Sequence, residues 1–363
     1  MNSPNHGTPV TVALVGCGAI AEQYYAPALA EAGRHTPLAV VAVFDPLPAR
    51  VAALKRWFPD AAAFSEFEEL HAVRPDLAIV ASPPRFHAEQ VNALLAAGAH
   101  VLCEKPMAGT VEQAESMVGM AHAANRLLAV GLFRRFFPAL QTIKALVSNQ
   151  TLGAPRLFHF SEGGPFNWPA ASASFFQKGQ SPGGVLADLG IHVLDLVHWW
   201  FGRPTELACA DDAMGNLEAN SEVTLKFAGG LAGVVRVSRD TPMHNVFTIQ
   251  FENGTVRWKV GDANHLDVQF PGAPGELRSE LWEAVPEKHD AFRRAPTYHQ
   301  SFVKQLLNVV AAARGEEPLR VSGEEALHSL RLVENCYRCR TLLPMPWLTP
   351  RELEPARALN LTR

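Results

Sequence analysis

A glycine-rich turn follows the first apolar run of the chain and precedes a helical stretch. Residues 10–15 read VTVALV, which is typical of a buried strand, and residues 16–21 read GCGAIA. Gly16 permits a tight turn, Gly18 lets a ligand approach the backbone, and Ala21 lets the helix pack close to the strand. Strand, turn and helix in this order predict a unit that binds a dinucleotide pyrophosphate at the helix N-terminus. A glycine-rich turn without a ligand is the alternative.

The second predicted strand ends in an acidic side chain. Residues 38–45 read LAVVAVFD, so Asp45 follows the glycine turn at a little more than the usual spacing of about 20 residues. Its carboxylate would accept hydrogen bonds from the adenosine ribose and would repel a 2′-phosphate, which favours NAD over NADP. Arg50 lies in the next helix, so the use of NADP stays open. The residues expected to bind the cofactor here are Gly16, Gly18, Ala19, Ile20 and Asp45.

Strands and helices alternate over the first part of the chain. Further strand-like runs at 76–83, 99–106 and 127–133 are separated by helical stretches, which predicts a parallel sheet covered on both faces. After about residue 150 the strand-like runs are joined by short turns, as in an antiparallel sheet. These runs are 156–161, 205–210, 221–227, 231–238, 246–252 and 254–260. The segment 261–296 is rich in Pro, Gly and Asp and is expected to be irregular.

Length and composition exclude several classes of protein. The 363 residues suggest two domains, and a net charge of -4 argues against nucleic acid as a partner. No apolar run approaches the ~18 residues of a membrane span, and the first residues lack a secretory pattern, so we expect a cytoplasmic protein. The five cysteines are scattered, and Cys336 and Cys339 form a lone CxxC pair, so no metal site is predicted. A P-loop motif is absent from the sequence, and no nucleophile elbow, in which a G-x-S-x-G turn joins a strand to a helix, is predicted.

The segment CEKPMAGT at 103–110 places a lysine after the fourth strand of the predicted sheet. In a doubly wound sheet, ligands bind outside the carboxyl ends of the strands. The ammonium group of Lys105 could therefore stabilise negative charge that develops on a substrate oxygen. Pro106 makes the turn rigid, and its peptide bond is a candidate for the cis form. An exposed loop lysine without a role is the alternative.

A second group of polar residues interrupts an apolar helix. In GGVLADLGIHVLDLVHWW, residues 183–200, Asp188, His192 and Asp195 lie within about 60° of each other on the helix surface. A carboxylate in a buried helix must be paired or hydrogen-bonded. The stripe is therefore either a structural Asp–His arrangement or a histidine held for acid–base chemistry.

Together these motifs resemble the Gfo/Idh/MocA family of NAD(P)-dependent oxidoreductases. The matching patterns are G-x-G-x-x-A, P-x-x-x-H, E-K-P, R-F-x-P and G-G-x-L-x-D-x-G-x-H-x-x-D, and they occur in this order between about residues 10 and 341. The resemblance implies an α/β protein: an N-terminal Rossmann domain with a doubly wound parallel sheet, and a C-terminal α/β domain with an open, mainly antiparallel sheet. We place these domains at 8–133 and 134–345, followed by a C-terminal tail at 346–363. The resemblance also implies a homo-oligomer, a dimer or a tetramer, formed through the open sheet.

The resemblance assigns roles to the polar residues. Lys105, Asp188 and His192 match the catalytic positions, with His192 as the base for a hydroxyl proton and Lys105 polarising the oxygen. Asp188 is expected either to bind a neighbouring hydroxyl or to set the charge on the imidazole. Asp195 is expected to be a structural or orienting partner. The residues implied around the nicotinamide half of the cofactor are Ser82, Pro83, His87, Glu104 and Lys105.

The loop at residues 162–181, which precedes the helix that carries the polar stripe, is a candidate sugar site. Its residues Phe166, Asn167, Trp168 and Lys178 could stack on sugar rings or bind hydroxyls, and a packing or subunit-contact loop is the alternative. Arg135 in the R-F-x-P segment is a further candidate. The residues predicted to bind substrate are Lys105, Arg135, Trp168, Asp188 and His192.

The sequence therefore predicts an NAD(P)-dependent dehydrogenase or reductase that acts on a secondary hydroxyl of a sugar, sugar derivative or cyclitol. Two alternatives stay open. The first is an NAD-dependent redox glycosidase of the same fold, and the second is a regulator that binds a sugar or a dinucleotide without turnover. Retention of Lys105, Asp188 and His192 together argues against the regulator.

Overall fold

The computed structural model describes residues 7–170, 173–281 and 298–361. The described chain divides into two compact units. The first comprises described residues of Met1–Phe133, Pro169–Ala173 and Tyr298–Leu327, and the second comprises those of Arg134–Trp168, Ser174–Thr297 and His328–Arg363. The helices are α1 (Ala26–Ala32), α2 (Pro48–Lys55), α3 (His87–Ala96), α4 (Val111–Ala124), α5 (Pro138–Ser148), α6 (Ile191–Phe201), α7 (Tyr298–Ala313), α8 (Gly323–Arg338) and α9 (Pro350–Asn360).

The first unit contains a six-stranded sheet in which every neighbouring pair of strands is parallel. The strands are β1 (Val10–Val15), β2 (Leu38–Phe44), β3 (Ala62–Phe64), β4 (Leu77–Val80), β5 (His100–Cys103) and β6 (Leu128–Val130), in the spatial order β3-β2-β1-β4-β5-β6. The strand order reverses between β1 and β4. In such sheets a ligand binds outside the carboxyl ends of the strands at this reversal.

The second unit contains a nine-stranded sheet. Its strands are β7 (Pro155–Gly163), β8 (Glu206–Asp211), β9 (Asn220–Lys226), β10 (Ala232–Ser238), β11 (Val246–Phe251), β12 (Gly254–Lys259), β13 (His265–Gln269), β14 (Leu277–Glu280) and β15 (Arg340–Leu342), in the order β14-β13-β12-β11-β7-β10-β9-β8-β15. Most pairs are antiparallel, whereas β7 with β10 and β8 with β15 are parallel. Side chains along β9 alternate between buried and partly exposed, as expected where a sheet buries one face.

Aromatic contacts fix α6 against this sheet. The Trp200 ring meets the Phe160 ring edge to face with 5.8 Å between centroids, and Phe201 stacks on Phe158 at 5.2 Å. The indole N–H of Trp200 also donates to the carbonyl of Leu140 in α5 at 3.1 Å. The C-terminal end of the helix that carries His192 is therefore held against the sheet by aromatic contacts and tied to α5 by a hydrogen bond.

The predicted fold class is confirmed: the protein is α/β, with a doubly wound parallel sheet and a second, mainly antiparallel sheet. One local expectation was wrong. The segment 261–296 was expected to be irregular, yet it supplies β13 and β14, whose short runs of mixed polarity carry little strand signal. Residues 282–297 of that segment lie outside the described residues. The domain boundaries stay predictions. No helix in the described ranges is long and apolar enough to cross a membrane.

Candidate active site

The glycine turn lies between the carboxyl ends of β1, β2 and β4. Gly16 has a φ of +90°, and a Cβ there would lie 2.5 Å from the backbone nitrogen of Ser82. The Gly16 N–H donates to the carbonyl of Phe44 at 2.8 Å. At Gly18, by contrast, no atom lies within 4 Å of a Cβ position, so the backbone there is open. A closed turn at Gly16 and open space at Gly18 fit a dinucleotide pyrophosphate.

Asp45 is buried against the same turn. Its Oδ2 accepts a hydrogen bond from the Cys17 N–H at 2.9 Å, and its Oδ1 accepts one from the Leu47 N–H at 3.0 Å. These bonds fix the carboxylate beside the glycine turn, where remaining lone pairs can accept from ribose hydroxyls. Arg50 Nη1 lies 3.8 Å from Oδ2 and partly offsets the negative charge. This arrangement favours NAD and leaves NADP possible.

Replacing Gly16 with alanine is expected to weaken NADH binding about tenfold or more. The added methyl group would overlap the backbone of Ser82, and the positive φ disfavours any L side chain by about 1–2 kcal/mol. Quenching or enhancement of NADH fluorescence on titration measures the Kd. Gly119→Ala is the matched control, because Gly119 is exposed in α4 with open space around it, and this change should leave the Kd unaltered. An unchanged Kd for Gly16→Ala would contradict the assignment of the turn.

His87 ties together the loops that follow β4 and β5. Its Nδ1 lies 2.9 Å from the carbonyl oxygen of Pro106 and its Nε2 lies 2.7 Å from that of Ser82. The ring is fully buried, and this burial lowers the pKa of His87 although the contacts with the two carbonyls oppose the shift. The Ser82 hydroxyl donates to Gln90 Oε1 at 2.6 Å. The peptide bond between Lys105 and Pro106 is cis.

Glu104 connects the glycine turn to the backbone of Lys105. Its Oε1 accepts from the Tyr25 hydroxyl at 2.6 Å, and its Oε2 accepts from the Lys105 N–H at 3.0 Å. Tyr25 belongs to a π turn, Ala21–Tyr25, that leads from the glycine turn into α1. Burial raises the pKa of Glu104, and the Tyr25 hydrogen bond and the Lys105 charge oppose this rise. A Cβ at Gly131 would lie 2.6 Å from Glu104 Oε1, so a larger residue there would displace the Glu104 carboxylate.

The polar stripe of the second unit begins in another π turn, Leu186–Gly190, which precedes α6. Asp188 lies in this turn and is 29 % exposed, and His192 lies buried in the first turn of α6. A π turn inside a longer helix is frequent at functional sites. Residues 188, 192 and 195 are therefore carried by one rigid element, although the π turn alters the regular 100° spacing between 188 and 192.

Two buried arginines of the second unit are paired with carboxylates. Arg135 donates to Asp195 through Nε at 2.9 Å and Nη2 at 2.6 Å, and its guanidinium lies 5.4 Å from the Trp199 ring. Arg134 donates to Glu162 through both Nη atoms, at 2.7 and 2.5 Å. Asp195 is thus a structural partner, in line with its predicted role. Arg135, predicted to bind substrate, is engaged in a buried bidentate ion pair.

Sequence analysis did not identify Glu218, which holds the start of the helix that carries the polar stripe. The Leu186 N–H donates to Glu218 Oε1 at 3.0 Å, and the Tyr337 hydroxyl donates to the same oxygen at 2.7 Å. Burial raises the pKa of Glu218, against the effect of these two donors. Cβ atoms at Gly183 and Gly184 would overlap Tyr337 and Glu218. This close approach explains the paired glycines of the motif.

The candidate sugar loop contains an aromatic cluster. Phe166 packs edge to face on Phe176 at 5.0 Å, and the Cζ of Arg239 lies 5.9 Å from the Phe166 ring centre. Trp168 is half-buried, whereas Asn167 is exposed. The Lys178 ammonium group donates to the carbonyl of Gly215 at 2.8 Å, so it has a hydrogen-bond partner within the protein. Among the residues that the structure describes, no cluster of three or more His, Cys, Asp or Glu side chains could hold a metal ion.

The fold and the glycine turn define a dinucleotide-binding protein of the Rossmann class, and comparison with known proteins gives the family. Residues 10–132 match the model of an oxidoreductase family with an NAD-binding Rossmann fold, and residues 140–257 match the GFO/IDH/MocA C-terminal domain. The chain belongs to the Gfo/Idh/MocA family. The predicted class, an NAD(P)-dependent oxidoreductase, is thereby confirmed.

Named relatives span most of the chain. D-glucoside 3-dehydrogenase of Escherichia coli strain K12 is 31 % identical over 71 % of this chain and 71 % of its own length. The NADP⁺-dependent scyllo-inositol 2-dehydrogenase of Bacillus subtilis strain 168 is 30 % identical over 79 % of this chain and 83 % of its own. An inositol dehydrogenase homologue of Azotobacter vinelandii, solved with NADH and myo-inositol, is 21 % identical with a TM-score of 0.77, covering 93 % of this chain and 97 % of that one. The last comparison establishes similarity of fold.

Proposed function

We propose that the protein transfers hydride between a secondary hydroxyl of a sugar, sugar derivative or cyclitol and NAD. The observation that carries this proposal is the turn at Gly16 and Gly18, which fits a nicotinamide dinucleotide in a chain of this family. The relatives described above are named for glucoside and inositol substrates, which supports a polyol as the substrate class. NAD, when bound, accepts the hydride from the carbon that carries the hydroxyl.

In this proposal His192 takes the hydroxyl proton as the carbon–oxygen double bond forms. Imidazole is the side chain that most often serves as a general base at neutral pH. Lys105 donates a hydrogen bond to the same oxygen and stabilises the negative charge that develops there. Asp188 accepts a hydrogen bond from a neighbouring hydroxyl and fixes the orientation of the ring. Ser82, Pro83, Glu104 and Lys105 lie around the nicotinamide half of the cofactor, and Trp168 offers a ring face to the substrate.

Two residues are assigned indirect roles. His87 has both ring nitrogens against carbonyl oxygens, so we place it as the group that holds the Ser82 and Lys105 loops rather than as a cofactor contact. Arg135 is bonded to Asp195, so we remove it from the substrate contacts and assign it to holding α6. The homo-oligomer stays a prediction, which light scattering of the purified protein tests.

The experiment is a substrate panel. The wild-type protein is incubated with NAD or NADP and with sugars, sugar acids and inositols, and the absorbance of reduced nicotinamide is followed. Turnover of one class of polyol supports the proposal, and Asp188→Asn should then raise KM for that substrate about tenfold, because a hydrogen bond to a charged group is lost. Tight NADH binding without reduction on any substrate would contradict it. Cleavage of a glycoside without net redox change would then indicate the redox glycosidase.

A further inference from the structure

Arg239 differs from Arg134 and Arg135 of the second unit in its ion pairing. Arg134 and Arg135 each form a bidentate ion pair with donor–acceptor distances of 2.5–2.9 Å. Arg239 directly follows β10, and its Nη2 lies 3.7 Å from Asp188 Oδ2, which is too long for a hydrogen bond. Its Nε is buried and makes no hydrogen bond within the described part of the chain. The guanidinium therefore retains donors that the protein does not satisfy.

The surroundings of Arg239 orient these donors. The Phe166 ring lies 5.9 Å from its Cζ, and the Asp188 carboxylate flanks it at 3.7 Å. The side chain is 12 % exposed, so it is largely withdrawn from water, and Asp188 beside it is 29 % exposed. Neighbouring Ser238 directs its hydroxyl to Asp240 at 3.1 Å instead of to the guanidinium. A guanidinium held in this way lies next to the carboxylate that is assigned to substrate hydroxyls.

The chemistry of the guanidinium indicates which ligand group would accept hydrogen bonds from Arg239. A ligand oxygen that reaches the Nη atoms of Arg239 would supply hydrogen bonds that the described part of the chain does not make to them. The planar fork of arginine matches a carboxylate, which accepts two parallel N–H···O bonds. Asp188 accepts hydroxyl donors, whereas Arg239 supplies donors, so the pair is suited to a molecule that carries both hydroxyls and a carboxylate. A neutral polyol would offer the Nη atoms only hydroxyl acceptors, which bind a guanidinium more weakly than a carboxylate does.

We propose that Arg239 binds a carboxylate of the substrate, so that the polyol oxidised here is a sugar acid such as a uronate or an aldonate. The inference rests on the proposed function, since it names the substrate class of the same site. Within that reaction Arg239 determines specificity, while the proton and the hydride are transferred at other atoms. The substrate binds with hydroxyls on Asp188 and its carboxylate on Arg239.

The test compares substrates that differ only by the carboxylate, with glucuronate against glucose and galacturonate against galactose. The wild-type protein is expected to show a kcat/KM at least about tenfold higher for the acid of each pair. Arg239→Gln should abolish this preference, mainly through KM, and Arg239→Lys should retain part of it because the charge remains. The matched control is Arg236→Gln, since Arg236 is exposed on the same strand and bonded to Glu222 at 2.6 Å. That variant should keep the wild-type preference.

Two results would overturn the proposal. The first is a wild-type protein that uses neutral and acidic partners equally. The second is an Arg239→Gln variant that loses the same factor on both partners, which would show that Arg239 acts only by supporting Asp188. If no polyol reduces NAD, the proposed function fails separately, and calorimetric titration of glucuronate into the NADH complex decides the case. Binding that Arg239→Gln abolishes would support the carboxylate site, and absent or equal binding would overturn it.

Discussion

Replacing Lys105 with methionine is expected to lower kcat about a hundredfold to a thousandfold while leaving the Kd for NADH within about threefold. Methionine keeps the length of the side chain and removes the charge that stabilises the reacting oxygen. The loop itself should persist, because Glu104 accepts from the Lys105 backbone N–H at 3.0 Å and His87 contacts the Pro106 carbonyl at 2.9 Å. Steady-state rates with the best polyol of the panel measure kcat, and NADH fluorescence measures the Kd.

The control for this prediction removes a lysine charge elsewhere. Lys226 is exposed in β9 and bonded to Glu206 at 2.7 Å, so Lys226→Met should leave kcat unaltered. His192→Asn should lower kcat about a hundredfold or more, since the proton acceptor is removed. Retention of full turnover by Lys105→Met would show that the lysine does not stabilise the reacting oxygen. The catalytic role proposed for Lys105 would then be wrong.

Breaking the ion pair between Arg135 and Asp195 is expected to have the largest effect on stability. Asp195→Ala would leave the Arg135 guanidinium charged and buried, with 3 % of its residue surface exposed. Loss of one partner of such a pair lowers the free energy of unfolding by about 3–5 kcal/mol. Urea denaturation followed by tryptophan fluorescence measures the change, because Trp199 and Trp200 lie on the same helix.

A double variant separates the charge from the packing. Arg135→Met with Asp195→Leu removes both charges and keeps apolar volume, so it should recover most of the stability that Asp195→Ala loses. Exposed pairs contribute about 0–1 kcal/mol, so Glu206→Ala, which breaks the surface pair with Lys226, should change little. A loss below about 1 kcal/mol for Asp195→Ala would contradict the view that this pair anchors α6.

Local patterns in the sequence were sufficient for the fold class and for the cofactor half of the site. The run VTVALV, the turn at Gly16 and the acid at Asp45 are close in sequence. Their order along one strand–turn–helix–strand unit is enough to predict a dinucleotide site. The structure accordingly brings the glycine turn, Ser82 and Asp45 together. The parallel pairing of β7 with β10 and the strands β13 and β14 were not predicted, because strand pairing depends on distant segments.

The residues that contact the helix carrying the polar stripe could not be predicted, because a single sequence does not reveal contacts between distant segments. Glu218 and Tyr337 lie far along the chain from Leu186, and no pattern in the sequence around them predicts that the three residues are in contact. The paired glycines were the available signal, since two adjacent glycines indicate a close approach of other atoms. Arg239 offered a weaker signal, an arginine directly after a strand. The roles of Lys105, Asp188 and His192 came from the family resemblance and stay proposals.

The transfer of hydride between a polyol carbon and the cofactor is the central claim, and isotopic labelling tests it most directly. A polyol from the panel, carrying deuterium on the carbon of the oxidised hydroxyl, is incubated with NAD and the wild-type protein. Mass spectrometry and NMR of the nicotinamide then locate the label. Direct hydride transfer predicts one deuterium at C4 of the reduced nicotinamide together with a ketone product. A nicotinamide that never acquires deuterium, in a protein that binds NADH tightly, would contradict it.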